Sequence, residues 1–235
     1  MALPKLNNSP KYDLVIPSSQ QKIRFRPYLV KEEKILMLAM ESEDQKQIFE
    51  AIADTIEACC DGDVDKRKLT TFDIEYMFVQ LRSKSVGESI TLNLKCAECD
   101  HSNENVVKVD DIQMTVPKVD MKLDITNDIS IEMMWPPYTA ILDDNILEGT
   151  SETEQTFKLL SKCINAVLTD DERIVFKDES EKDQMEFIES LNTEQFNKIR
   201  GVLEKMPTMQ HTIEYKCTKC EHDNSVTLRG MSDFF

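Results

Sequence analysis

Glycine is scarce in this chain, five in 235 residues, and so are tryptophan (one) and histidine (three). So little glycine leaves no phosphate-cradling Gly-rich loop and no collagen-like tract. Basic residues are also short: 28 Lys plus Arg stand against 44 Asp plus Glu, a formal net charge of −16. A body that acidic repels phosphate backbones and anionic lipid, which argues against nucleic-acid binding and membrane adhesion and favours basic partner surfaces. No apolar run approaches the roughly 20 residues needed to cross a bilayer. The opening Met1-Ala-Leu-Pro-Lys-Leu-Asn-Asn8 lacks the apolar core of a signal peptide, so an intracellular, reducing compartment is expected. There, cysteines serve as thiols or metal ligands and not as disulfides.

What is present suits a folded chain: 40% hydrophobic and 31% charged residues, enough for one large domain or two small ones. Tyr12-Asp-Leu-Val-Ile16 and Lys22-Ile-Arg-Phe-Arg26 alternate apolar and polar residues around Pro17-Ser-Ser-Gln-Gln21, the pattern of a hairpin. From Val30 the spacing becomes helical, with Ile35, Leu36, Leu38 and Ala39, then Ile48, Phe49, Ile52 and Ile56, until Asp61-Gly-Asp63 interrupts it. Another helix opens at Thr70-Thr-Phe-Asp73 and runs to Ser83; Ile90–Leu94 and Val106–Val109 read as strands. After Val116-Pro-Lys-Val119 the order recurs. A hairpin is expected over Met121–Ile125 and Ile129–Met133, then a short helix from Tyr138 to Leu147. After the Glu148-Gly-Thr-Ser151 turn, a helix capped by Ser151 would carry Phe157, Leu160, Ile164 and Leu168. Helices over Gln184–Leu191 and Glu194–Lys205 and a strand over His211–Tyr215 complete the pass.

The repetition is sharpest around four cysteines. Leu94-Lys-Cys-Ala-Glu-Cys-Asp-His-Ser-Asn103 lies on Tyr215-Lys-Cys-Thr-Lys-Cys-Glu-His-Asp-Asn224 without a gap, matching Lys, both Cys, His and the final Asn. Arg26-Pro-Tyr28 also resembles Trp135-Pro-Pro-Tyr138. The expected fold is α+β, a pseudo-twofold tandem duplication of a hairpin–helices–strand–knuckle–strand unit. Residues 1–115 would form the first repeat and 119–235 the second, packed as one compact body.

Each Cys-x-x-Cys sits in the turn between two expected strands, which is the knuckle of a zinc ribbon. One knuckle supplies half of a tetrahedron of soft thiolates. Two of them, Cys96/Cys99 and Cys217/Cys220, complete a four-cysteine site for one structural Zn2+ between the halves. The separation is unusual for a ribbon, since Cys217 lies 118 positions beyond Cys99. Duplication explains it if equivalent knuckles meet on the pseudo-twofold axis. Redox use of the pairs is disfavoured because neither opens a helix after a strand. Catalytic zinc would need an open coordination position.

His101 and His222 follow their second Cys too closely to be favoured ligands, and their expected role is to tie down the knuckle or face solvent. His211 reads as structural. Cys59, Cys60 and Cys163 are expected in helices as small hydrophobes. Glu41-Ser-Glu-Asp44 and Asp178-Glu-Ser-Glu181 read as solvated helix ends, and Asp61-Gly-Asp-Val-Asp65 lacks the spacing of a calcium loop. No residue set supports catalysis.

Ile23-Arg-Phe-Arg-Pro-Tyr-Leu-Val-Lys-Glu-Glu-Lys34, Phe72-Asp-Ile-Glu-Tyr76 and Leu81-Arg-Ser-Lys-Ser-Val-Gly-Glu88 resemble the baseplate hub proteins of T4-like contractile-tailed bacteriophages, as does the opening Met1-Ala-Leu-Pro-Lys-Leu. The resemblance implies a non-enzymatic hub component or hub assembly factor that acts in the infected bacterial cytoplasm or in the virion tail. It implies partners among other hub proteins, the central spike or the tape measure, and oligomers in the assembled hub. Lys31 to Glu33 and Ser85-Val-Gly-Glu88 are candidate contacts, with helix entry and turn geometry as the equal alternative. A zinc-ribbon adaptor for a host or regulatory protein and a metal-dependent hydrolase stand as the rival readings.

Overall fold

The computed structural model describes residues 9–62, 64–114, 116–142 and 151–233. The matched opening Met1–Leu6, the end of the helix expected from Tyr138 to Leu147, the Glu148-Gly-Thr turn and the terminal Phe234-Phe235 lie outside them. In chain order the strands are β1 (Tyr12–Val15), β2 (Lys22–Phe25), β3 (Cys60–Asp61), β4 (Ser89–Lys95), β5 (Ser102–Lys108), β6 (Gln113–Met114), β7 (Lys122–Asp124), β8 (Ser130–Met133), β9 (Ile164–Leu168), β10 (Arg173–Val175), β11 (Met209–Lys216) and β12 (Asp223–Arg229). The helices are α1 (Val30–Glu41), α2 (Gln45–Cys59), α3 (Thr71–Ser85), α4 (Tyr138–Ile141), α5 (Glu152–Ser161), α6 (Glu181–Glu189) and α7 (Thr193–Leu203). The protein is α+β.

The chain forms two compact units. Described residues of the first come from Met1–Lys66, Phe72–Thr115 and Thr208–Phe235; those of the second come from Arg67–Thr71 and Val116–Pro207. The boundary at Val116 falls in the expected Val116–Val119 join. The spatial units nevertheless differ from a division into residues 1–115 and 119–235, because the last hairpin, β11–β12, folds with the first unit.

In the first unit β1, β2 and β3 form an antiparallel sheet in that order. The α1–α2 pair carries the chain from β2 to β3. Asp44 starts α2 by accepting the amides of Lys46 and Gln47, satisfying donors that a helix leaves open at its first turn. Ala51, Ile52, Ala53 and Ile56 are buried on α2. Along α3, Phe72, Ile74, Met77, Phe78, Val79 and Leu81 are buried. Its first-turn Asp73, fully buried, accepts both the amide and the hydroxyl of Ser18 from the β1–β2 turn. Arg82 and Lys84 end the helix where its dipole favours cations. Beyond it, β4 and β5 pair over seven residues, and β11 pairs with both β12 and β6.

The second unit is a four-stranded antiparallel sheet, β10-β9-β8-β7, packed with α5, α6 and α7. Ile131 and Met133 of β8, Leu160 of α5, Ile164 and Val167 of β9, Ile188 of α6 and Ile199 and Val202 of α7 share its core. Here one expectation is overturned. The helix capped by Ser151 ends at Ser161, and Ile164–Leu168 is a strand. Ile164-Asn-Ala-Val-Leu168 lies between β8 and β10, with Ile164, Ala166 and Val167 buried. A central strand reads as a continuous apolar run whose spacing can mimic a helix, and sheet pairing decides the outcome.

Both halves share an order. Among the described residues, a hairpin in each is followed by helices and then a strand that returns antiparallel to the hairpin's second strand: β3 on β2, and β9 on β8. Further helices and a Cys-bearing hairpin follow in both.

Candidate metal centre

The hairpins β4–β5 and β11–β12 have the same register. Lys95 pairs with Ser102 and Leu94 with Asn103; at equivalent places Lys216 pairs with Asp223 and Tyr215 with Asn224. Each turn closes identically. The amide of Cys96 donates to the His101 carbonyl at 2.9 Å and that of Asp100 to the Cys96 carbonyl at 3.0 Å. In the second turn Cys217 donates to His222 at 2.8 Å and Glu221 to Cys217 at 3.0 Å. Asp100 and Glu221 adopt φ of 54° and 59°, the left-handed region. A side chain unbranched at Cβ tolerates it better than a β-branched one.

These turns bring all four sulfurs within 4.8 Å of one another. Cys96 Sγ stands 3.6 Å from Cys220 Sγ, and Cys99 Sγ stands 3.7 Å from Cys217 Sγ. A tetrahedron with metal–sulfur bonds of about 2.3 Å has edges of about 3.8 Å, so the spacing is compatible with a metal site. All four cysteines are free thiols, with Cys96 and Cys217 buried and Cys220 exposed.

Two asparagines lock the knuckles together. Asn103, which is buried, donates from Nδ2 to the His101 carbonyl at 2.9 Å and to Cys217 Sγ at 3.7 Å. Its Oδ1 accepts the Thr218 amide at 2.9 Å. Asn224, also buried, does the reverse: Nδ2 reaches the His222 carbonyl at 3.0 Å and Cys96 Sγ at 3.6 Å, and Oδ1 accepts the Ala97 amide at 3.0 Å. Each side chain thus closes its own turn and grips the opposite one. Tyr215 Oη adds a bond to the Lys95 carbonyl, 2.9 Å, that has no counterpart at Leu94.

The donors also set the thiol chemistry. Burial works against a thiolate at Cys217, but the amides of Cys220 and Lys219 and neighbouring thiols outweigh it and bring the group down to about 6. At Cys96 burial is likewise outweighed, by the amides of Glu98 and Cys99 and by Asn224, and the thiol is lowered. The sulfur contacts that lower Cys217 push Cys220 up to about 12, so the thiols share protons and do not titrate one by one.

Other sites read from the sequence fall away from this cluster. The His101 and His222 side chains are exposed, and it is their backbone carbonyls that shape the turns. His211 Nδ1 lies 3.1 Å from the Asp111 carbonyl on the sheet. Cys59 ends α2, but Cys60 belongs to β3 and Cys163 to the turn before β9, so neither sits in a helix as expected. Burial pushes Cys59 to about 11 and Cys60 and Cys163 to about 12. Asp61 meets Lys11 and Arg24. The asparagines coincide in the sequence alignment of the knuckles, and that coincidence was the available signal of their role.

A family model described as T4 bacteriophage base plate protein matches residues 9–235. No curated protein and no solved structure matches the chain.

Proposed function

The chain belongs to the T4 bacteriophage base plate protein family, and on that premise we propose that it is a non-enzymatic baseplate hub component or hub assembly factor, held in shape by one structural zinc. The observation that carries the metal reading is the closed four-sulfur cluster, in which Cys96, Cys99, Cys217 and Cys220 would be the ligands. Four thiolates fill a tetrahedral zinc and leave no position for water or substrate, which favours a structural ion over a catalytic one. The bound ion would supply a fixed joint between segments 118 positions apart. Because those ligands meet only in the folded chain, metal affinity becomes folding free energy.

The shared element order and the paired asparagines support a tandem duplication in which the second copy's knuckle docks on the first. The function that follows is that of a rigid acidic scaffold for other baseplate proteins, with the central spike and the tape measure as candidate partners in the infected cell. Metal analysis of the purified chain tests the joint: one zinc per chain is expected, and none would reject it. Affinity capture from infected cells tests the hub role: baseplate hub proteins should co-purify, and recovery of host proteins alone would favour an adaptor.

A further inference from the structure

The second half of helix α1 is apolar on almost every side. Ile35-Leu-Met-Leu-Ala-Met40 is an unbroken apolar run, yet Leu36 is the one large side chain in it that is buried. Ile35, Met37, Leu38 and Met40 remain 52%, 57%, 56% and 49% exposed. A helix hydrophobic all round ordinarily lies inside a core, and a contiguous exposed patch marks a contact surface. On the side of α1 that carries Met37 and Leu38, and in the turn that follows, the charges are sorted by end; Glu32 of the first turn is buried, and Glu33 stands a quarter turn to the side. Lys31 and Lys34 stand near the start, and Glu41, Glu43 and Asp44 cluster at the finish. The last turn carries no basic residue, so these acids sit at the negative pole of the helix dipole, where a cation from outside would be favoured.

We propose that α1 is a self-association surface that packs antiparallel on α1 of a second copy of this chain. Lys34, Met37, Leu38 and Glu41 recur at spacings of three and four and so share one face. The antiparallel register that sets Lys34 against the second copy's Glu41 also sets Met37 against its Leu38. Twofold symmetry makes each of these contacts twice. One register therefore satisfies the apolar and the ionic residues together, and antiparallel helices also oppose their dipoles favourably. The charge complementarity is local, whereas the −16 on each copy acts at longer range and is screened beyond about 8 Å at physiological ionic strength. Methionines at the centre adapt to an imperfect fit. A twelve-residue helix is about 18 Å long. Its contact falls below the roughly 800 Å² per partner of a standard interface, so the dimer is weak, on the order of micromolar.

Sedimentation velocity on the full chain, from about 1 to 200 μM, tests this independently of the metal and of the hub role. A reversible, concentration-dependent dimer is expected. Leu38→Asp should abolish it. Lys34→Glu and Glu41→Lys should each raise the dissociation constant about tenfold, and the double reversal should return it to within about threefold of the parent. All these side chains are exposed, and unchanged circular dichroism would show that the variants fold. A monomer throughout the range, a dimer indifferent to Leu38→Asp, or a double reversal as weak as either single variant would overturn the proposal.

Discussion

Glu32 is a carboxylate 3% exposed, held by Arg26 at 2.9 Å, by the Leu29 amide at 2.8 Å and by Lys31. Burial works against its charge, but these donors outweigh it and bring the group down to about 2. A depressed folded value means that the stabilisation is complete above the ordinary carboxylate range, about pH 4.5, and is lost as pH falls toward 2. Glu32→Gln should therefore cost roughly 1–3 kcal/mol near neutrality, leaving Arg26 short of its partner. Urea melts of the two proteins should converge over that acid window. The buried thiols make a second expectation at this scale. Cys59 and Cys163, pushed to about 11 and about 12 by burial, should resist iodoacetamide at pH 8 in the native protein and react fully in denaturant, as mass spectrometry would read. Asn103 is the third case. If the cage holds zinc, Asn103→Ala removes a donor to Cys217 and the brace on the Thr218 amide. Metal affinity in chelator competition should fall about 10–100-fold, the usual reach of residues that orient ligands.

Among the elements, α7 shows how local chemistry sets a boundary. Asn192 accepts the Gln195 amide at 2.9 Å while Gln195 Oε1 accepts the Asn192 amide at 2.9 Å, a reciprocal capping box. Asn192→Ala should cost about 1 kcal/mol, visible as a lowered thermal midpoint. Such signals are short-range, which is why β1–β2, α2, α3, α6 and α7 were legible from spacing, turn residues and caps. The Ser151 cap was legible for the same reason, and it too is a capping box, with Glu154. The far end of that helix was not. Nothing local distinguishes Ile164 and Leu168 as a fourth helical turn from Ile164–Leu168 as a central strand. The choice is made by Ile131 and Val167 pairing across β8 and β9, a contact distant in sequence. The same limit applies to Cys60, whose place in β3 depends on pairing with Phe25.

At the scale of the molecule the cysteine cluster was legible because CxxC occurs twice in matched surroundings. Convergence of the sulfurs was expected from the matching segments, and the fold brings them within 4.8 Å of one another. What spacing alone does not convey is that β11–β12 folds with residues of the first half, since compact units reflect long-range packing. On the proposed reading, chelation should loosen the first unit selectively. Hydrogen exchange should accelerate in β4–β5 and β11–β12 while β7–β10 keeps its protection. Cys217→Ser should do the same without a chelator. The most direct measurement is X-ray absorption at the zinc edge on the purified chain, with metal content determined on the same sample. The proposed joint requires one zinc per chain surrounded by four sulfurs at about 2.3 Å. A chain that carries no zinc, or zinc bound through nitrogen and oxygen, would contradict it.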